Sequence, residues 1–451
     1  MDHVWHFLVE DGLPFTGFLL SFFIVIFFHE YGHYVFSRLF NVRVLSLSVG
    51  YGWKLFSRKD KNGTDWSVHT LPFAGGIVIA GQGWMPDSPV DTDTHTDLER
   101  QLYATPQEQL FRSKPAWQRL MIVVAGPLFN VILAFFLLSV VLAGVGEPVR
   151  TPYITGVLMD SPADKAGFEP GDKILQINGV EINNYRQIKK FTQTNAGNEL
   201  EFVVRRDDGS TRTLRVTPEI RSFQDINYIQ RSYPQIGILA QSTPMDLRSI
   251  SKINDMETDK KRSVAREKIL DVLGEPVVLE LKTIDGTYKS YKFHLREDIN
   301  KDLKTPGSLE YNNVFLGQFK DNRIQDYDFG GALIRAAEET WRLVKGVVSL
   351  PYNALPFDKS LIKAHTTMTG YGDPMSYVLY KIFFLGAAIS VFLGMINLIP
   401  LPSFDGSRII SIICSMFPKS DIVEIYAQRS VLTLFILSVI FVNSLRIAAI
   451  Q

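Results

Sequence analysis

Four stretches of the chain carry few polar residues and are long enough to cross the roughly 30 Å hydrocarbon layer of a bilayer as helices. They run from Leu13 to Phe40, Leu120 to Val145, Tyr377 to Leu401 and Val431 to Ile450. The third is broken near its end by Pro400 and Pro402. Between the spans the pattern changes. Residues 41–115 open on Val42, Val44, Leu45, Leu47 and Val49, pass a turn-rich Lys59 to Asp65, and continue through Trp66 to Leu71 and Gly75 to Gly81. That near-alternation predicts short β-strands and hairpins. Met85 to Thr105, rich in Asp, Pro and Thr, reads as a linker.

Residues 150–220 predict a small α+β module. Tyr153 to Leu158 gives a strand, and Ser161 to Gly167 a short helix with Ser as its cap, Pro in the first turn and Gly at the stop. Pro170-Gly171-Asp172 turns into a strand from Ile174 to Ile177, which turns again at Asn178-Gly179. A helix around Tyr185 to Thr194 and a hairpin from Leu200 to Val216, turning at Asp208-Gly209, follow. This order resembles a PDZ domain, and the resemblance implies capture of a peptide C-terminus as an added strand near Gly156 and Val157. Residues 235–297 carry a fainter echo: Ile236-Gly237-Ile238-Leu239, a helix at Val264 to Leu273 and a hairpin from Val277 to Phe293. We read it as a degenerate second PDZ-like module. In the linker at 298–376, Leu333, Ala336, Ala337, Trp341, Val344 and Val348 recur at helical spacing. They predict an amphipathic helix, either on the outer membrane face or packed on a module.

Charge orients this arrangement. Lys plus Arg and Asp plus Glu are equal at 47 each, so no basic excess argues for nucleic acid as a partner. No Lys or Arg precedes the first span, whereas ten lie between Arg38 and Arg119. The 41–115 loop is therefore expected in the cytoplasm and residues from Glu147 to Ser376 outside. Met1 to Pro14, with two acids just before the apolar run, is unlike a cleavable signal peptide, so the first helix is expected to stay in the bilayer. Cys414 is the single cysteine and forms no intrachain disulfide.

The chemistry concentrates at His29-Glu30-Tyr31-Gly32-His33, at the end of an apolar run with no charge after Asp11. Four residues on a helix rise about 6 Å and nearly complete a turn, so His29 and His33 project from one face and can share one metal ion. Glu30 stands next to the first ligand, where it can deprotonate a water. Two His and a Glu beside lipid are costly unless they serve a function. Two helix-borne His need a third ligand, and Asp405, in Asn397-Leu398-Ile399-Pro400-Leu401-Pro402-Ser403-Phe404-Asp405-Gly406, is the obvious candidate.

With these motifs the chain resembles the site-2 protease family of intramembrane zinc metalloproteases, and most closely its PDZ-bearing bacterial branch, the regulators of sigma E. The resemblance implies one zinc ion held by His29, His33 and Asp405, Glu30 as the base, and Asn397 as a contact to the substrate backbone. It implies that a strand including Gly76 and Ile77 pairs with an unwound substrate. It also implies a multi-pass protein of the bacterial inner membrane with extracytoplasmic PDZ modules, whose substrates are single-span membrane proteins. Phe111-Arg112-Ser113-Lys114 and Ala125 to Asn130 look like the family's entry into the second span. Two departures stand out: Ser407-Arg408 where Gly-His is usual, and Ile77 where Tyr is usual. A catalytically inactive scaffold presenting PDZ modules, or a metal or proton transporter, is the alternative. An intact Glu30 beside all three ligands counts against the scaffold, and PDZ modules count against the transporter.

Overall fold

The computed structural model describes residues 13–82, 97–149, 151–224, 230–239, 244–282, 287–306, 310–316, 323–348, 374–401 and 404–416. Three of its helices are long and apolar enough to cross a membrane, over Leu19–Leu39, Ala116–Gly144 and Ser376–Asn397. The fourth expected span, 431–450, lies outside the described residues. The chain divides into two compact units, one holding the three long apolar helices and the other holding residues 148–325.

In the first unit, α1 (Leu13–Leu39) leads into two long bent strands, β1 (Val44–Lys59) and β2 (Asp65–Ile79). The first half of β1 lies between the two halves of β2, pairing Val49 with Val68 on one side and with Gly75 on the other. Gly75 to Ile79 thus lies at the margin of this sheet, and Val42, Val44, Leu47, Val49, Ile77 and Ile79 bury their side chains against α1. Asp97–Tyr103, expected to be part of a linker, is a short helix, because Leu102 finds an apolar seat on Leu45, Ala80 and Leu110.

The second long helix, α2 (Ala116–Gly144), crosses α1 at small residues. A Cβ on Gly32 would collide with the carbonyl of Ala125. Between apolar helices in lipid, close approach of backbones replaces hydrophobic driving force as the source of packing energy.

The second unit begins with β3 (Gly156–Leu158) and α3 (Pro162–Ala166), whose Ser161 cap accepts from the Asp164 amide at 3.2 Å and whose Gly167 stop has φ 84°. Then come β4 (Lys173–Ile177), β5 (Val180–Glu181), α4 (Tyr185–Thr194), β6 (Leu200–Arg205) and β7 (Thr211–Val216). The four strands β4 to β7 form one sheet in the order β5-β4-β6-β7, over a core of Phe168, Ile174, Ile177, Leu200 and Phe202. Next are β8 (Ile238–Leu239), β9 (Ile250–Ile253), β10 (Met256–Glu257), α5 (Arg262–Asp271), β11 (Pro276–Lys282) and β12 (Tyr288–His294). These strands join β3 in a six-stranded sheet, β8-β3-β12-β11-β9-β10, over a second core that includes Ile250, Ile269, Leu279 and Phe293.

The topology corrects the segmentation read from sequence. β8 was expected to open the second module, yet it pairs with β3, and the neighbouring Ile236 packs in the first module's core. β3 in turn carries β12 on its other side, through Val157 opposite Lys292. Two-residue strands have almost no periodicity of their own, so sequence order alone assigned them.

Back in the first unit, α6 (Phe329–Val348) buries Ala332 and Ala336 against Leu138, Val141 and Leu142 of α2. Its buried stripe is taken up by α2. α7 (Pro374–Asn397) adds Ala387 and Val391 to the same core, and α8 (Asp405–Cys414) follows after Pro400.

Candidate metal centre

Two elements bring the three candidate ligands together. α1 supplies His29 and His33 from adjacent turns of one face, and α8 supplies Asp405 at its first residue. All three are buried, at 6%, 2% and 6% exposure. Asp405 Oδ2 lies 3.1 Å from His29 Nε2 and 3.2 Å from His33 Nε2. One donor atom from each lies within 4.8 Å of the others. Two ligands each about 2.05 Å from a tetrahedral zinc stand about 3.3 Å apart, so the carboxylate-to-imidazole spacings match two edges of such a site.

The far side of each imidazole tests the fit independently. A metal on Nε2 requires a proton on Nδ1 and an acceptor for it. His33 Nδ1 lies 2.8 Å from the Ile122 carbonyl, which can only accept. His29 Nδ1 lies 3.2 Å from the Asn130 amide nitrogen, and Asn130 Oδ1 is buried with no hydrogen-bond partner among the described residues. Rotating that amide by 180°, which leaves its shape unchanged, lets Oδ1 accept a hydrogen bond from a protonated His29 Nδ1. Both His are thereby set to offer Nε2. Ser390 of α7 holds the Asn130 backbone carbonyl at 2.7 Å, joining the third apolar helix to this arrangement.

Glycine makes the room. A Cβ on Gly126 would overlap the His33 ring and come within 2.9 Å of His29 Cε1, so α2 can pass behind the ligands only with glycine there. A Cβ on Gly406 would strike the carbonyls of Leu398 and Ile399, so the first turn of α8 can fold back under the end of α7 and deliver Asp405.

Glu30 lies half-buried on α1, and its Cγ is 3.4 Å from where a Cβ on Gly75 would stand. The outer part of β2 therefore runs past the base candidate, and Gly76 and Ile77 follow on that strand, with Ile77 turned into the core and Val78 outward. Asn397 Nδ2 lies 3.3 Å from His29 Nε2, so the end of α7 joins the centre. Gly156 and Val157 belong to the other unit. Both edges of their strand are occupied: the Leu158 amide donates to Gly237, the Met159 amide to Ser290, and a Cβ on Gly156 would meet the Phe293 ring. A peptide cannot add to β3 without displacing β8 or β12, which corrects the expected capture site. Among the described residues the terminal strands of that sheet are β8 and β10.

A model of peptidase family M50 matches residues 17–439. The chain belongs to peptidase family M50. Among its relatives, this M50 protein is 26% identical to the metalloprotease MmpA of Caulobacter vibrioides over 396 residues, 87% of this chain and 83% of that one. It is 24% identical to the regulator of sigma-E protease RseP of Salmonella typhimurium over 441 residues, 92% of this chain and 94% of that one. It is 34% identical to a candidate zinc metalloprotease of Brucella suis over 213 residues, 47% of this chain. That match spans about half the length of the Brucella protein, 54%.

Sequence reasoning missed Asn130 and Gly126 as parts of the centre and noted Arg408 only as a departure. The first two lie about a hundred residues from His29, in a segment whose apolar pattern explains them as helix and which sequence reasoning noted only as a likeness in the second span; a polar Asn at membrane depth was the physical signal.

Proposed function

We propose that this M50 protein is an intramembrane zinc metalloendopeptidase that cleaves the transmembrane segments of single-span membrane proteins. The observation that carries the reading is the convergence of His29, His33 and Asp405 beside Glu30, on helices apolar enough to lie in a bilayer. Zinc held by the three ligands would polarise a scissile carbonyl and acidify a water. Glu30 takes the proton of the attacking water and returns it to the leaving amine. The Asn397 amide orients the substrate backbone. A transmembrane helix hides its amides in internal hydrogen bonds, so the substrate must unwind before cleavage, and pairing with Gly75 to Ile79 offsets that loss.

The relatives that regulate sigma E suggest the setting: the bacterial inner membrane, with β1 and β2 on the cytoplasmic side, and anti-sigma factors or signal-peptide remnants as substrates in regulated intramembrane proteolysis. In this reading the second unit is a pair of extracytoplasmic PDZ-like modules. If one takes up a trimmed peptide C-terminus, β8 offers the strand rather than β3.

The test uses purified full-length protein with a model single-span substrate. We expect one zinc per chain, and Glu30→Gln that keeps its zinc while losing at least ~10²- to 10⁴-fold in cleavage. Wild-type cleavage by Glu30→Gln, or an active protein without zinc, would overturn the proposal.

A further inference from the structure

Asp405 divides its two oxygens between different partners. Oδ2 faces His29 and His33, whereas Oδ1 accepts from Arg408 Nη1 at 3.2 Å. Arg408 stands one turn further along α8, with a half-exposed side chain, while the carboxylate it holds is buried. A plain helix-surface pair at this spacing contributes only about 0.2–0.5 kcal/mol and says nothing about function. One feature sets this pair apart: its acid points its other oxygen into the metal centre.

A carboxylate free to rotate can chelate through both oxygens, and the second oxygen would crowd the coordination position that a hydrolytic site must leave open. An outer partner that engages one oxygen prevents this and fixes the direction of the other. We propose that Arg408 is a positioning residue for the metal: its guanidinium retains Oδ1, so that Asp405 presents Oδ2 alone toward His29 and His33. The inference rests on the ligand reading above, and its test separates the two.

Metal-depleted full-length protein is titrated with zinc against a chelating dye, for wild type, Arg408→Gln, Arg408→Lys, Asp405→Asn and the Asp405→Asn/Arg408→Gln double variant. Arg408→Gln should bind zinc ~10- to 100-fold more weakly, as expected for loss of an outer partner. Arg408→Lys, which keeps the charge, should recover most of that loss. In the Asp405→Asn background, Arg408→Gln should change affinity less than about 2-fold, because a residue that acts through Asp405 has nothing left to act on. Wild-type affinity in Arg408→Gln beside weakened binding in Asp405→Asn would overturn the inference alone. Equal losses in both backgrounds would also overturn it, as a merely structural role predicts. Unchanged affinity in Asp405→Asn would overturn the ligand reading and the inference together.

Discussion

Two clusters of buried charge lie in the unit that holds the apolar helices, and they differ in whether the chain balances them. In the first, Glu147, just past the end of α2, takes two hydrogen bonds from Arg335 of α6, at 2.8 and 3.0 Å, and a third from the Tyr327 hydroxyl at 2.8 Å. Glu339 pairs with Arg335 and Arg342 on the same helix. Two buried carboxylates thus meet two guanidinium groups, and their oxygens are occupied. In the second, Glu30 and Asp405 face one cation, Arg408, with two imidazoles set to act as neutral donors. The first cluster is balanced, whereas the second is one positive charge short, a deficit that a bound dication more than covers. Burial of charge alone does not mark a functional site; burial without internal compensation does.

The largest expected effect comes from removing a charge at the incomplete cluster. Asp405→Asn should weaken zinc binding by more than about 100-fold, beyond what loss of an outer partner costs. Stability of the metal-free protein should stay within about 1 kcal/mol of wild type, because neutralising Asp405 also relieves its repulsion with Glu30. Zinc titration and thermal unfolding in detergent, with and without chelator, read both. A large loss of metal-free stability would place this cluster with the structural one.

At the complete cluster the expectation is reversed. Arg335→Met leaves Glu147 and Glu339 buried without their shared cation and should cost about 3–5 kcal/mol, with zinc affinity unchanged in the molecules that remain folded. Replacing the whole set, Glu147→Leu, Arg335→Met and Glu339→Leu together, should bring stability back to within about 1–2 kcal/mol of wild type, since well-packed apolar groups often replace a buried ion set without loss. A triple variant as unstable as Arg335→Met would mean that the cluster does more than brace α6 on α2.

The same contrast explains what the sequence made legible. His29, Glu30 and His33 stood out because they interrupt an apolar run at a spacing that one helix turn brings to one side. Asp405 stood out because prolines and a glycine mark the break that exposes it, and the structure adds why that glycine is needed, to clear the Leu398 and Ile399 carbonyls. Glu147 and Arg335 could not be paired in advance: 188 residues separate them, and each looks like an ordinary charge, one just past an apolar span and the other beside the apolar stripe of an amphipathic helix. The exchange of β8 and β12 across β3 was invisible for a related reason. Pairing between strands distant in sequence follows from which edges remain open after folding, and a two-residue strand carries no pattern to signal it.

The smallest expected effect concerns that exchange. Lys292 on β12 donates to Asp164 on α3 at 2.5 Å, a link between the second module's hairpin and the first module's short helix. Burial favours the neutral acid, but the Lys292 ammonium and the Asp160 amide outweigh it and hold the Asp164 carboxyl below its ordinary range. A lowered acid stabilises the fold above its unfolded value of about 3.9, and that contribution disappears as pH falls through the folded value. Lys292 is 44% exposed, so solvent screens the pair and Lys292→Ala should cost no more than about 0.5–1 kcal/mol near neutral pH. Hydrogen exchange of the amides at Leu158 and Met159 provides the local readout, because both bond across the exchanged strands. Their protection should drop slightly in Lys292→Ala at pH 7, and the difference from wild type should close as pH falls through the lowered folded value of Asp164. A loss of several kcal/mol at these amides would show that the charge pair, rather than the backbone pairing of β3 with β8 and β12, joins the two modules.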